Sequence, residues 1–426
     1  MRLHCFTLMA VMICSLAATA KNDLTPVQKA SIATRFASEV KYNFAGYDRF
    51  AQDFDSICRA ELPLLVATES DEEFGRKLTL MANRLKDGHT SISWSADVAY
   101  APIMQKRIGD KVFVTGVYSD LYSQKGVRRG TEIVAIDDMP VIEYGEKCVM
   151  PYIASSTPQW ARAFAFNSIN LTKGERGKPV KLTFRNGKEK PFDITDNRQS
   201  PWNTVNIDDK PRFELLAGNI GLLTLPSFRY MWKDDAELLS LYKDKIMPTD
   251  GLIVDIRENT GGNSRIGDIY MQLIATDTIP QGEWLTPKYQ AAYAAWGKPW
   301  ECDTIQSQPV MPFWMMTDEI PRYDKPVVLL VSGMTFSAAE NFTALFRNAR
   351  RGKIIGTPTG GSTGQPMTVD LGWGYYGRIC TRNEKLADGT EFIGKGIQPD
   401  IVIEETEGVF AGKDNVIEAA LKELKQ

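Results

Sequence analysis

Histidine is nearly missing from this chain. Among 426 residues there are two, His4 and His89, so any imidazole chemistry rests on very few positions. Long apolar runs are also missing. The run from Phe6 to Leu16 is too short to span a bilayer, and no later stretch is long and apolar enough for a membrane helix, so no stable membrane span is expected. No Lys/Arg-rich block stands out and the formal net charge is −3, which leaves no electrostatic footprint for nucleic acid. Cysteine is sparse: Cys5 and Cys14 lie near the start, and Cys58, Cys148, Cys302 and Cys380 are widely spaced. With no CxxC pair a zinc site is not expected, and no other cofactor is suggested. There is no long repeat and no low-complexity segment.

What is present is the composition of a globular protein. Hydrophobic residues make up 43% and charged residues 24%, and the length suits about two to three domains. The first twenty residues read as a secretory signal, with Arg2 as the positive start, the short apolar run, and Ala18-Thr19-Ala20 as a small-residue cleavage site. The mature chain is then expected to begin near Lys21 and to be exported, either periplasmic or secreted. A buried N-terminal helix is the alternative. A lipid anchor on Cys14 is less supported, because Val11-Met12-Ile13 offers no small residue beside the cysteine. Export permits disulfides among the four later cysteines. Four free thiols is the competing reading, since the pairing carries no sequence signal.

Helical signals open the mature chain. Thr25-Pro26-Val27-Gln28 combines a capping box with proline at the first helical position, and Ile32, Phe36 and Val40 follow at a spacing of four. Ser70 to Glu73 reads as a second capping box, before Phe74, Leu78, Met81 and Leu85 on one face. That helix runs into Asp87-Gly88, a turn signal, and His89 follows. From about Ile103 to Thr195 the pattern turns to short strands. Gly126 to Gly130 leads into Glu132–Ile136 and the turn Asp137-Asp138, and Asn186-Gly187 marks a hairpin. This order resembles a PDZ domain, which binds extended peptide ends by adding a strand to a sheet edge. A small β-rich domain with another role is the alternative. From about Pro211 strands and helices alternate, as in a layered α/β domain, and Asp414 caps a last helix.

Three segments can carry chemistry. His89 follows Asp-Gly at the end of an amphipathic helix, where a side chain can project into a cleft. In Ser332-Gly333-Met334-Thr335-Phe336-Ser337-Ala338-Ala339-Glu340 a buried strand ends in a glycine turn, and a serine stands at a helix start. Unpaired N–H groups and the positive dipole end there suit an oxyanion formed by attack of Ser337 on a carbonyl. The plainer reading is that Thr335 or Ser337 caps the helix. In Asp255-Ile256-Arg257-Glu258-Asn259-Thr260-Gly261-Gly262-Asn263 a buried strand ends in paired glycines that let backbone approach a substrate oxygen. It is no Walker loop, for no Gly-Lys-Ser/Thr follows. An ordinary left-handed turn is the alternative.

Together these segments resemble the S41 peptidases. Asp255–Asn263 is similar to their "Asp-Leu-Arg-x-Asn-x-Gly-Gly" signature, and Thr335–Glu340 to their nucleophile motif. Ile355–Ser362 is similar to the segment that follows, and Gly396-Ile397-Gln398-Pro399-Asp400 to the closing "Gly-Ile-x-Pro-Asp" strand. The resemblance implies an α/β catalytic core of crotonase/ClpP-like type, a helical cap and a β-rich PDZ-like domain. The expected boundaries are 1–20 for the signal peptide, 21–95 for the cap carrying His89, 96–200 for the PDZ-like domain and 205–426 for the peptidase core.

Departures from the pattern choose the mechanism. C-terminal-processing members use a Ser-Lys dyad, and Ser362 stands where that lysine would be; Lys353 lies upstream at a strand start. The chain therefore looks like the tricorn-core branch, which uses serine and histidine, with Ser337 as nucleophile and His89 as base. By the same resemblance the N–H groups of Gly262 and Ala338 form the oxyanion hole. Tricorn-type members place a serine just before the histidine and a glutamate just before the closing strand. Here Gly88 and Ile393 occupy those positions, which leaves the orienting group open among Glu391, Asp87 and Thr90.

The expected function is hydrolysis of peptide bonds in peptide or protein substrates through an acyl-enzyme. Two rivals stand beside it: a weak or inactive PDZ-bearing peptide-binding protein, and a hydrolase of another class such as an esterase. The aromatic stretch from Trp284 to Trp314 suggests recognition of apolar side chains, with core or lid packing as the alternative. Oligomeric state carries no sequence signal.

Overall fold

In a computed structural model the chain is described over residues 23–46, 53–167, 169–201, 208–232, 235–288, 301–311 and 322–425. The expected signal peptide and lipid-anchor position lie outside these residues, as do Trp296, Trp300 and Trp314 of the aromatic stretch.

Helix α1 (Pro26–Asn43) begins at the expected capping box, with Pro26 in the first turn and Ile32, Phe36 and Val40 buried. Helix α2 (Phe54–Val66) and helix α3 (Asp71–Asn83) follow. The Ser70 side chain caps α3 by accepting from the Glu73 N–H, but the Glu73 carboxylate takes the N–H of Glu69 instead of closing the box on Ser70. Strand β1 (Ser91–Trp94) pairs antiparallel with Tyr375–Arg378 from late in the chain. The helices therefore share one core with Val369, Leu371, Tyr375 and Ile379. The N-terminal helices, expected from the sequence to form a cap, are joined by the hairpin Met367–Ile379 from late in the chain.

Strands β2 (Ile103–Ile108), β3 (Lys111–Val117), β4 (Glu132–Ile136), β5 (Val180–Arg185) and β6 (Phe192–Asp196) form an antiparallel sheet in that order. Alternation such as Val180, Leu182 and Phe184 inward accounts for its single buried face. A strand-only reading of this region missed helix α4 (Pro158–Phe166). Its start signal was present, for Thr157 caps it and Pro158 opens it.

The third sheet runs β7 (Arg212–Leu216), β8 (Ile220–Thr224), β9 (Gly251–Asp255), β10 (Val327–Val331), β11 (Gly352–Gly356) and β12 (Ile401–Val402). All pairs but β7–β8 are parallel. β9 and β10 are buried at every position, as a sheet covered on both faces requires. Helices α5 (Ser264–Ile274) and α6 (Ala338–Asn348) pack on one face with Leu252, Val254 and Leu329. Helix α7 (Asn415–Glu423) covers the other face with Ile253, Val328 and Leu330. The helix expected from Asp234 is described from Asp235 and widens into i→i+5 turns over Leu241–Ile246. Among the described residues no helix is long and apolar enough to cross a membrane. Cys58, Cys148 and Cys380 are free thiols, so of the two readings left open from the sequence these three follow the free-thiol one. The Cys302 side chain lies outside the described residues.

Candidate active site

Two adjacent parallel strands, β9 and β10, end side by side, and each delivers one of the expected turns. After β9 the turn is fixed by buried ionic contacts. Arg257 donates to Asp255 at 2.7 Å and to Asp414, the cap of α7, at 2.8 Å. Burial opposes the guanidinium charge, but Asp255 and Asp414 outweigh it and hold the group protonated. Asn259 is fully buried, donates to the Leu225 carbonyl at 3.0 Å and accepts the Gly261 N–H at 2.8 Å. Its own carbonyl accepts the Phe336 N–H at 3.1 Å, tying this turn to the one after β10.

In that second turn Thr335 donates to the Ile256 carbonyl and accepts the Ser332 N–H, both at 2.9 Å. Ser337 sits at φ +58° and ψ −123°, a costly conformation for a side-chain-bearing residue. It occupies the N-cap position of α6, yet its hydroxyl makes no capping bond. Neither Thr335 nor Ser337 therefore spends its hydroxyl on the helix, which removes the plainer reading. The Ser337 Oγ lies instead 2.9 Å from the His89 Nε2.

His89 arrives from the turn after α3. Its N–H is held by Asp87 Oδ1 at 2.9 Å, and the Gly88 N–H by Ser156 Oγ at 2.9 Å. The ring lies parallel to Phe336 with centroids 4.6 Å apart, and Phe336 stacks in turn on Trp160. A Cβ on Gly88 would stand 2.8 Å from the Phe336 ring, so a larger residue here would push on the ring that stacks against His89. The imidazole is 1% exposed. Burial, with the positive charge of Arg378 second, pushes its pKa down to about 3, so the ring is neutral near pH 7.

The other ring nitrogen, Nδ1, lies 2.8 Å from Ser362 Oγ. None of the three residues left open from the sequence holds this place. Asp87 binds the backbone N–H of His89, the Thr90 hydroxyl accepts the Cys380 N–H at 3.1 Å, and Glu391 lies beside Lys385 at 3.9 Å. Ile393 is packed with Leu386, Phe392 and Ile397. The sequence had marked Ser362 as the residue in the lysine's place without giving it a part. The Ser362 N–H donates to Glu340 Oε2 at 2.7 Å, while Gly361 N–H and Thr359 Oγ donate to Oε1 at 2.7 and 2.5 Å. Glu340 is fully buried, and burial raises its carboxyl pKa to about 7.

The N–H groups of Gly262 and Ala338 have no acceptor among the described residues. They belong to touching segments, because a Cβ on Gly261 would lie 3.0 Å from the Ala338 nitrogen. Beside them opens a cleft of about 920 Å³ lined by Gly262, Ser337, Trp284, Asn341, Arg378 and Arg382, among others. A hydroxyl next to a neutral imidazole, two free N–H donors and an open cleft form an arrangement suited to acyl transfer.

Comparison with known proteins agrees. Residues 219–403 match the sequence profile of Peptidase family S41. A carboxy-terminal-processing protease of Bartonella bacilliformis is 28% identical over 245 residues, covering 56% of this chain and 50% of that protein. The chain thus spans about half the length of the curated relatives it matches. The structure of mature CPAF superposes with a TM-score of 0.73 at 14% identity, covering 90% of this chain and 94% of that one. The complex of mature CPAF with lactacystin gives 0.73 and 14%, covering 94% and 98%. These likenesses show a shared fold of mixed α/β type. Residues 219–403 of this chain are similar to Peptidase family S41, in line with the motifs that first suggested that resemblance.

Proposed function

We propose that the chain is an exported serine peptidase acting on peptide or protein substrates through a Ser337 acyl-enzyme. The reading is carried by the 2.9 Å contact between Ser337 Oγ and His89 Nε2. Neutral His89 takes the Ser337 proton as Oγ attacks the peptide carbonyl. The oxyanion that forms accepts from the Gly262 and Ala338 N–H groups. His89 then gives the proton to the leaving amine, and water repeats the sequence on the ester. The signal at 1–20 would deliver the chain to the periplasm or the exterior. A helical cap (21–95) would supply His89, and a crotonase/ClpP-like core (205–426) would supply Ser337. A PDZ-like domain (96–200) would hold an extended part of the substrate. Its position supports this, because Lys106 on β2 bridges to Glu258 in the glycine turn and to Glu405, at 2.6 and 2.9 Å.

A serine-directed phosphonate probe tests the reading. Wild type should label and Ser337→Ala should not, while His89→Ala should lose peptide hydrolysis by at least ~100-fold. Equal labelling of Ser337→Ala would defeat the nucleophile assignment. Peptide binding without turnover would identify a peptide-holding protein, and hydrolysis of acyl esters alone would identify an esterase.

A further inference from the structure

The orienting groups of the tricorn-type pattern are both replaced here, by Gly88 and Ile393, and the lysine of the other branch is replaced by Ser362. We infer that Ser362 is the positioning residue of His89: it accepts the Nδ1–H and so leaves the Nε2 lone pair facing Ser337. This rests on the acyl-transfer reading above and adds the third member that the sequence left open.

The geometry carries it. Nδ1 has the Ser362 Oγ at 2.8 Å and Nε2 has the Ser337 Oγ at 2.9 Å, so the ring is held between two hydroxyls. For Nε2 to receive a proton, the ring hydrogen must sit on Nδ1, and Ser362 Oγ is the oxygen placed to accept it. When Nε2 gains the Ser337 proton, the Nδ1–H···Oγ bond persists, so the ring does not reorient before delivering that proton to the leaving amine. Ser362 is fixed for this. Its N–H is bonded to the buried Glu340, and its carbonyl accepts the Ser337 N–H at 3.1 Å. Glu340 lies three residues after Ser337, on the first turn of α6. The helix that bears the nucleophile therefore also anchors the residue that sets the tautomer of its base. A neutral hydroxyl stabilises an imidazolium less than a carboxylate does, which suits a ring buried this deeply.

The test uses the two-histidine composition. The imidazole nitrogen-15 NMR signals of the labelled protein come at most from His4 and His89, and His89→Gln assigns the latter. Wild type should show His89 with its hydrogen on Nδ1. Ser362→Ala should lose that tautomer and lower kcat by about 10- to 100-fold with KM little changed, and Ser362→Thr should restore both in part. An Nε2–H tautomer in wild type would overturn the inference even if no variant folded. A Ser362→Ala enzyme with wild-type kcat and tautomer would overturn it as well. If Ser337→Ala and His89→Ala both keep full activity, the acyl-transfer reading itself has failed. If both lose activity and Ser362→Ala does not, only the role of Ser362 has failed.

Discussion

Ser337 and His89, the proposed nucleophile and base, are held in place by different means. Ser337 stands at the end of β10, next to the glycine turn at the end of β9, and the two turns bond to each other directly through Asn259 and Phe336. His89 is placed by segments scattered along the chain: the end of α3, Ser156, the ring of Phe336, and Ser362. The nucleophile side is a local product of strand ends in one parallel sheet. The base side exists only once the turn after α3, the segment around Ser156 and the turn after β10 have come together. A substitution on the first side should damage chemistry directly, whereas one on the second should act through placement.

The largest expected effect falls on the nucleophile side. Gly262 sits at φ +142°, and a Cβ there would lie 2.3 Å from the Phe228 carbonyl oxygen. Gly262→Ala must shift the turn and with it one proposed oxyanion donor, so kcat should fall ~10²- to 10³-fold. Phosphonate labelling should slow in parallel, because the probe's developing charge uses the same donors. An unchanged kcat in a folded Gly262→Ala protein would remove this N–H from the oxyanion hole and weaken the contrast between the two sides.

The same contrast sets what was legible in the sequence. The Asp255–Gly262 signature, the Thr335–Glu340 motif and the strands feeding them are contiguous, and each could be read in place. The buried strands β9 and β10 and helix α6 were legible from their apolar runs and spacing, whereas α5 (Ser264–Ile274) was not assigned from the sequence. Ser362 was noticed only as a departure, because its partner His89 lies 273 residues away. Glu340 was read as part of a motif, but its bonds to Thr359, Gly361 and Ser362 depend on a loop that folds back over α6. Helix α4 was missed because the strand signals around it dominated, although Thr157-Pro158 marked its start. The join between the cap and the hairpin at 367–379 could not be read either, since β1 and Tyr375–Arg378 are pairing partners nearly three hundred residues apart.

A middle-sized effect sharpens the base side. Glu340 accepts three hydrogen bonds, and Glu340→Gln replaces one acceptor oxygen with a donor facing other donors. The stability loss should be ~1–3 kcal/mol, the scale of a buried unsatisfied group. Its pH dependence has a definite sign. The folded pKa of about 7 lies above the ordinary value of 4.5, so the folded state holds the proton more tightly than the unfolded one. That contribution is full below the unfolded value and is lost as pH rises through the folded value. Wild type should therefore exceed Glu340→Gln by more at pH 5 than at pH 8 in denaturant melts. A gap that widens toward pH 8 would contradict the burial argument.

The smallest effect concerns charge at the base. In the proposed mechanism His89 must be neutral to accept the Ser337 proton, and its pKa is held near 3, first by burial and then by Arg378. Because the active form is the unprotonated one, the acid limb of kcat/KM should lie well below the ordinary histidine value of 6.5. Neither Asp87, raised by burial to about 6, nor Glu340 bonds to an imidazole nitrogen. Arg378→Gln removes the positive charge that faces the ring from the strand beside β1 and leaves burial untouched. The limb should move toward neutral pH, but by less than the whole displacement, because burial is the larger cause. A shift toward lower pH would mean that Arg378 acts through Asp87 rather than on the ring, and would place the electrostatic control of the base on its backbone side.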